Sequence, residues 1–154
     1  MKEAYLLLGA ADPLELNRKY VEAEQPLFKD GSWDYDNPEQ IQNKIKEIVE
    51  SADELSLTPE ELVWRNQILW FWYHHAASVA NRKRDKAKLK FVTEKAMEYE
   101  DESNILTRTM YLLCHGRIEE AEKWVEKNSD SEDFDTAKEM IENYKKIGWF
   151  WPNE

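Results

Sequence analysis

The chain has 154 residues, of which 42% are hydrophobic and 12% aromatic, and it contains four Gly and five Pro. This composition indicates a folded, helix-rich chain and excludes both a disordered polypeptide and a turn-rich β-sandwich. The formal net charge of −11 argues against a nucleic-acid-binding protein, and a single cysteine, Cys114, excludes an internal disulfide framework.

No signal peptide and no membrane span is predicted. The N-terminal stretch has one Lys and only a short apolar run, and the apolar run around Trp70 is interrupted by Asn66 and Gln67. The lone cysteine also fits a reducing compartment. We therefore predict a cytoplasmic protein that folds as one all-helical domain over residues 1–154.

Three helix starts follow one another in the first half. Asp12 can cap a helix in which Pro13 takes the first position, and the stretch NPEQ at 37–40 repeats this pattern. Thr58 and Glu61 occupy capping-box positions before a third helix. Upstream, the stretch 2–8 fits either a short helix or an extended arm.

Apolar residues recur at helical spacing after the first two starts. The predicted inward faces are Leu16, Tyr20 and Ala23, then Ile41, Ile45, Ile48, Val49 and Ala52. Residues 27–37 have the composition of a loop. We expect its Phe28, Trp33 and Tyr35 to pack at the core edge, although an exposed aromatic binding loop is the alternative.

The third start leads into the most apolar stretch of the chain, Trp64–Ala80, which holds three of the seven tryptophans and has no Gly or Pro. A helix that is apolar on every side is a buried one. We expect it to be the central helix, with Trp70 and Trp72 largely inaccessible.

The second half shows further helical periodicity. The predicted inward faces are Ala87, Phe91 and Val92; Leu106, Met110 and Leu113; Ile118, Ala121, Trp124 and Val125; and Phe134, Ala137, Met140, Ile141 and Tyr144. Asp101 or Ser103 can cap the helix that contains Leu106, and the last helix should end at Gly148 before a packed aromatic tail, Trp149–Trp151. No segment alternates with period two, so we predict about six to seven helices and essentially no sheet.

The stretch LCHGRIEEAEKWVEK at 113–127 resembles the middle of a tetratricopeptide repeat. Gly116 takes the turn position, Ala121 the small packing position and Val125 the large one, and Tyr111 falls near the aromatic of the first helix. The resemblance implies antiparallel helical hairpins. A compact helical bundle is the alternative architecture for this all-α chain.

A shift of 34 residues, the tetratricopeptide period, places Ala87 under Ala121 and Phe91 under Val125. The glycine and the tyrosine do not repeat, and no proline closes either copy. Two ordinary hairpins with a coincidental offset remain the alternative. With the repeat, the domain divides into N-terminal helices and loop at 1–58, repeat-like hairpins at 59–128, and a capping helix with the tail at 131–154.

The resemblance implies a non-enzymatic interaction module that binds a peptide or partner helix on the first helices of the hairpins. The candidate contact residues are Arg65, Asn66, Leu69, Arg108, Tyr111 and His115. The alternative is an acidic inhibitor or immunity-type protein that neutralises a basic partner such as a nuclease. We expect a protein partner, with a homodimer as one option, and neither nucleic acid nor membrane.

No cofactor, metal or catalytic residue is predicted. His74 and His75 are adjacent on a helix and point about 100° apart, so they cannot ligate one ion from one face. Cys114 and His115 are likewise neighbours that do not face each other. Buried structural roles are expected for these side chains.

A basic run opens the helix after Asn81, where positive charge opposes the helix dipole. Within it, Arg82, Lys86 and Lys90 form a stripe at i, i+4 and i+8. We interpret the stripe as a docking surface for an acidic segment, on a partner or on this chain's own acidic half. The alternative is a solvated face neutralised by nearby carboxylates.

Overall fold

The structure is a computed structural model that describes residues 1–29, 32–33, 38–99 and 104–152, with the backbone alone at 28–29 and 32–33. The predicted caps Asp101 and Ser103 lie outside the described residues, as do Tyr35, Asn37 and the side chains of Phe28 and Trp33. The predictions made for these residues therefore stay predictions.

Eight α-helices are present in the described residues, which confirms the all-α prediction. They are α1 (Lys2–Leu8), α2 (Pro13–Glu24), α3 (Gln40–Ser51), α4 (Pro59–Arg82), α5 (Lys86–Tyr99), α6 (Ile105–Cys114), α7 (Ile118–Lys127) and α8 (Phe134–Ile147). The stretch 2–8 is a helix and not an extended arm, which brings the number above the predicted six to seven. Two-residue strands, β1 (Phe28–Lys29) and β2 (Ser32–Trp33), pair antiparallel, with Phe28 opposite Trp33.

The chain divides into two compact units, Met1–Val79 and Ala80–Glu154, and the boundary falls within α4. We call them the N-terminal and C-terminal units. The single domain expected from the sequence stays a prediction.

Local hydrogen bonds confirm two of the three predicted helix starts in the N-terminal unit. The Glu15 amide donates to Asp12 Oδ1 at 2.8 Å, and the Glu61 amide donates to Thr58 Oγ1 at 3.1 Å. At NPEQ the prediction of Pro38 as the first helical residue is wrong, because Glu39 has an extended backbone and α3 begins only at Gln40.

The core of the N-terminal unit follows the predicted faces except on α3. Ile45 and Val49 are buried, but Ile41 is 49% exposed and Gln42 is fully buried in its place. Both amide atoms of Gln42 lack a hydrogen-bond partner, so burial there carries a desolvation cost. In α4, Trp72 is buried as expected, whereas Trp70 is half-buried.

The C-terminal unit is built around α6, which packs against α5, α7 and α8 and has seven of its ten residues buried. Its cap is Asn104, whose Oδ1 accepts from the Thr107 amide at 3.1 Å. Ala121 and Val125 of α7 are buried, as predicted.

The predicted inward face of α5 is wrong. Phe91 is 55% exposed and Ala87 is exposed, whereas Leu89 is buried and Val92 remains the only member of the predicted set inside. Helix α5 is therefore turned relative to the expectation by roughly half a revolution at its first turn. Thr93 takes a place in the core, and its hydroxyl donates to Leu89 O at 2.7 Å within the same helix.

The aromatic tail after α8 is packed, as predicted. Helix α8 ends at Gly148 with φ of 70°, and Phe150 is fully buried. Asn143 Nδ2 donates to Phe150 O at 2.8 Å, and Arg84 donates to Trp151 O at 2.7 Å. The backbone of the tail is thus held by Asn143 of α8 and by Arg84 from the connection between α4 and α5.

Two helix connections in the C-terminal unit have the same backbone pattern. Arg84 and Gly116, both left-handed at φ of 54° and 71°, follow the ends of α4 and α6. The next amide in each connection returns to a helix carbonyl, Asp85 to Ala80 at 3.0 Å and Arg117 to Leu112 at 2.9 Å. The left-handed residue also donates its own amide, Arg84 to Asn81 O at 3.1 Å and Gly116 to Leu113 O at 3.0 Å. The two bonds at each helix end together make a Schellman-type end.

The equivalent positions of these connections are 32 residues apart, not 34. The spacing holds for the helix ends, the left-handed residues and the starts of α5 and α7. It also places buried Leu89 under buried Ala121, and buried Thr93 under buried Val125. The pairing of Ala87 with Ala121 and of Phe91 with Val125 is therefore wrong as a packing register.

Candidate functional site

One face of α6 carries three of the residues predicted to contact a partner. Arg108, Tyr111 and His115 follow at i, i+3 and i+7, which places them on a common side of the helix. The opposite side of α6 supplies the core through residues such as Leu113, so the exposed side is free to be polar.

A groove of about 430 Å³ runs between this face of α6 and the neighbouring face of α7. Met97 of α5 and Leu112, Tyr111 and Trp124 provide its apolar and aromatic lining. Trp124 is held by its indole nitrogen, which donates to Ile105 O at 3.3 Å. The floor is therefore partly apolar and set by packed helices.

Cations dominate the polar lining of the groove. The charged lining residues are Arg108, Arg117, Lys123, Lys127 and Glu120. Glu120 accepts hydrogen bonds from the guanidinium of Arg117, so the one carboxylate among the described lining residues is already engaged. A positive patch in a chain of net charge −11 departs from the average surface.

Two arginines of the groove lie over aromatic rings. The Arg108 guanidinium is 4.5 Å from the centre of the Trp124 ring, and that of Arg117 is 5.9 Å from the Tyr111 ring. Such stacking restrains a guanidinium and leaves its edge able to donate. Lys123 and Lys127, one turn apart on α7, form no ion pair with any described residue.

His115 is anchored and lies outside the groove lining. Its Nδ1 is 2.8 Å from Tyr111 O, which requires that nitrogen to carry the proton, and its Nε2 is 2.5 Å from a carboxylate oxygen of Glu94. The ring also packs 4.4 Å from the Tyr111 ring. His115 therefore positions Tyr111 and bridges α6 to α5.

No protein-family model, curated protein or solved structure matches this chain.

The other three predicted contact residues belong to the N-terminal unit. Arg65 is 6% exposed, and its Nε donates to Val49 O at 2.7 Å while Nη1 bonds Glu54 and Asn66. Leu69 is fully buried. In this conformation Arg65 joins α4 to the end of α3, and neither it nor Leu69 presents a surface to a partner.

The basic stripe is exposed, but one of its residues, Lys86, contacts another helix of the C-terminal unit. Lys86 lies 5.5 Å from the centre of the Tyr144 ring, and its hydrogen bond to the Tyr144 hydroxyl raises the pKa of its ammonium group. Arg82 and Lys90 are exposed. Outside the stripe, Arg84 lies 5.8 Å from the Trp149 ring, so these helix-start cations help to fix α8 and the tail.

The histidines and the cysteine occupy apolar settings. Burial lowers the pKa of His75 to about 4, with His74 adding to the effect, and burial raises the pKa of the Cys114 thiol to about 11. His74 stacks on Trp70 with ring centres 4.8 Å apart. Within the described residues, no three His, Cys, Asp or Glu side chains are grouped to hold a metal ion.

Of the four cations that line the groove, the sequence predicted only Arg108 as a contact residue and missed Arg117, Lys123 and Lys127. Trp124 was expected to face fully inward, and it is instead half-buried at the groove. The sequence signal that could have indicated them is the pair Lys123 and Lys127, at i and i+4 on α7 beside Trp124. Of the helices in the described part of the chain, none is long and apolar enough to span a membrane.

Proposed function

We propose that this chain is a non-enzymatic protein–protein interaction module, and that its α6–α7 groove binds an acidic, apolar-anchored segment of a partner protein. The observation that carries the proposal is the groove's described lining, four cations and one engaged carboxylate around an aromatic floor, in a chain of net charge −11. Lys123 and Lys127 are donors that a partner's carboxylates would meet.

The spacing of the cations favours a short peptide. Lys123 and Lys127 are one helical turn apart, with Cβ atoms separated by roughly 5–6 Å. Side chains two residues apart on an extended strand are about 7 Å apart and point the same way. Carboxylates at positions i and i+2 of an extended segment could therefore each meet one lysine.

The floor supplies the apolar part of recognition. Trp124 lies under the Arg108 guanidinium and Tyr111 under that of Arg117, and Met97 adds an adaptable side chain to the lining. Aromatic side chains and arginines are enriched among the residues that dominate binding energy at protein interfaces. A single Leu or Phe in the partner segment would fit such a floor.

The groove differs from the site that a tetratricopeptide repeat implies. Both of its walls come from one hairpin, α6 and α7, and the only contribution from α5 is Met97. We keep a tetratricopeptide-like hairpin stack as a proposal for this chain, supported by the two matching helix connections. The register of that proposal is 32 residues.

A displayed library of random 12-residue peptides, selected on the full chain, would test this function. We expect the enriched peptides to carry Asp or Glu beside at least one large apolar residue. A fluorescent copy of an enriched peptide should bind the double variant Lys123→Glu, Lys127→Glu at least tenfold more weakly. This corresponds to about 1.4 kcal/mol of binding free energy.

The matched control is Lys138→Glu with Lys146→Glu, two exposed lysines of α8 that change the net charge by the same amount. Affinity for the control should stay within about twofold of the unmodified chain. Equal weakening by both double variants would show that only net charge matters and would contradict the proposal. Failure to enrich any peptide would also contradict it.

A further inference from the structure

A second cleft lies in the N-terminal unit, between the starts of α2 and α4. Two adjoining cavities, of about 740 and 530 Å³, share Asp12, Pro13, Pro59 and Glu60 in their linings and so form one continuous depression. The two helix-opening prolines both line it. The cleft is separate from the α6–α7 groove in its residues and in the unit that holds it.

Exposed apolar side chains line this cleft. Leu14 is 80% exposed and Val63 is 59% exposed, each within the first two turns of its helix. Isolated exposed leucines are ordinary, but two aliphatic side chains on opposing walls of one cleft form a joint apolar surface.

Trp64 lines the same cleft but is almost fully buried. It is 5% exposed, lines the cleft and packs edge-on against Tyr20, with ring centres 6.1 Å apart. Its indole Nε1 is buried and has no hydrogen-bond partner. A buried indole donor without a partner is uncommon and carries a desolvation cost.

The charged lining of the cleft is entirely acidic. Asp12, Glu60 and Glu61 contribute carboxylates, and none of the described lining residues is Lys or Arg. Asp12 and Glu61 are engaged in helix capping, while Glu60 is exposed. The surrounding unit carries a formal charge of −8, from 15 acids and seven bases in residues 1–79.

We infer that this cleft is a docking site for a basic amphipathic segment of a partner protein, with an apolar side chain between Leu14 and Val63 and a Lys or Arg at Glu60. Charge complementarity selects the occupant, because an acidic segment would meet only carboxylates there. The inference does not depend on the α6–α7 groove. It gives the hypothesis of a basic partner a defined place on the chain.

Fluorescence anisotropy with two labelled 14-residue helical peptides would test the inference on the full chain at about 0.15 M salt. One peptide is built of Lys and Leu, and the other of Glu and Leu in the same pattern. The Lys/Leu peptide should bind, and the variant Glu60→Lys, Val63→Ser should weaken it at least tenfold. Both substituted residues are exposed, so the variant should fold.

The matched control is Glu47→Lys with Ile41→Ser, which makes the same charge change and removes an apolar side chain that is 49% exposed on α3. It should leave the affinity within about twofold. Equal weakening by both variants would place the peptide on the general acidic surface and overturn the inference. Binding of the Glu/Leu peptide to the cleft would overturn it as well.

Sedimentation of the full chain shows whether the cleft binds a different protein or a second copy of this chain. If the chain dimerises and Glu60→Lys, Val63→Ser makes it monomeric, the cleft is a self-association surface and the inference of a basic partner is wrong. A monomer that binds the Lys/Leu peptide supports it.

Discussion

The connection from α4 to α5 and the connection from α6 to α7 share one backbone pattern but pack with different residues. At the left-handed position the first has Arg84 and the second Gly116. At the buried positions the first has Leu89 and Thr93, and the second has Ala121 and Val125. A backbone pattern set by helix geometry can thus be kept while a buried residue on it changes in size, as from Leu89 to Ala121.

This difference in size explains why the 34-residue offset predicts the wrong inward face for α5. Matching small with small and large with large pairs Ala87 with Ala121 and Phe91 with Val125. The structure instead pairs Leu89 with Ala121, a large residue with a small one, because each helix packs on different neighbours. Comparing the two connections by mutation therefore tests the register directly.

The largest expected effect is at Leu89. This side chain is fully buried, so Leu89→Ala should lower the free energy of unfolding by about 2–5 kcal/mol through lost burial and a cavity. Phe91→Ala, two residues away and 55% exposed, should cost less than about 1 kcal/mol. Urea unfolding of both variants would measure the difference; a larger loss at Phe91 would restore the 34-residue register.

Ala121 and Ala87 provide the next comparison. Ala121 has no exposed surface, and Ala121→Leu should overpack the contact of α7 with α6 and cost about 1–3 kcal/mol. Ala87→Leu should change the free energy of unfolding by no more than about 0.5 kcal/mol, because Ala87 is exposed. Similar losses in both variants would mean that the two alanines are equivalent after all.

The left-handed residues should give a smaller effect that is equal in both connections. Gly116→Ala should cost about 1 kcal/mol, since nothing within 4 Å contacts a Cβ there and only the backbone conformation is penalised. At position 84, Arg84→Gly should be more stable than Arg84→Ala by a similar amount. Thermal unfolding of the three variants would show whether the two penalties agree.

The last comparison is a chemical one and concerns Cys114, the last residue of α6, whose counterpart at the end of α4 is the exposed Arg82. Burial raises the pKa of its thiol to about 11, so very little thiolate exists at pH 8. Iodoacetamide should alkylate the native chain at least about a hundredfold more slowly than the urea-unfolded chain, and the native rate should rise with pH. Rapid native labelling would show that α6 is not packed as described.

Part of the candidate site could be foreseen from the sequence. Arg108 and Tyr111 were named as contact residues by the tetratricopeptide resemblance, and both line the groove. Lys123 and Lys127 were not, because a lysine on an amphipathic helix has the same pattern whether it faces bulk solvent or a groove. Arg65 was named as a contact residue by the same resemblance, whereas its guanidinium donates to Val49 O, 16 residues away.

The sequence by itself determined the helices, since periodicity, capping residues and glycines act over a few residues. Asp12 and Thr58 accept hydrogen bonds from amides at the starts of their helices, and Gly148 ends α8. The sequence alone predicted these three roles. Only the tertiary structure decided which side of α5 is buried, which cations gather at Trp124 and which partners Arg65 finds. Those outcomes depend on which helices, distant in sequence, pack against each other. The free energy of burial comes from the apolar contacts that form in the folded chain, and residue spacing alone does not fix these contacts.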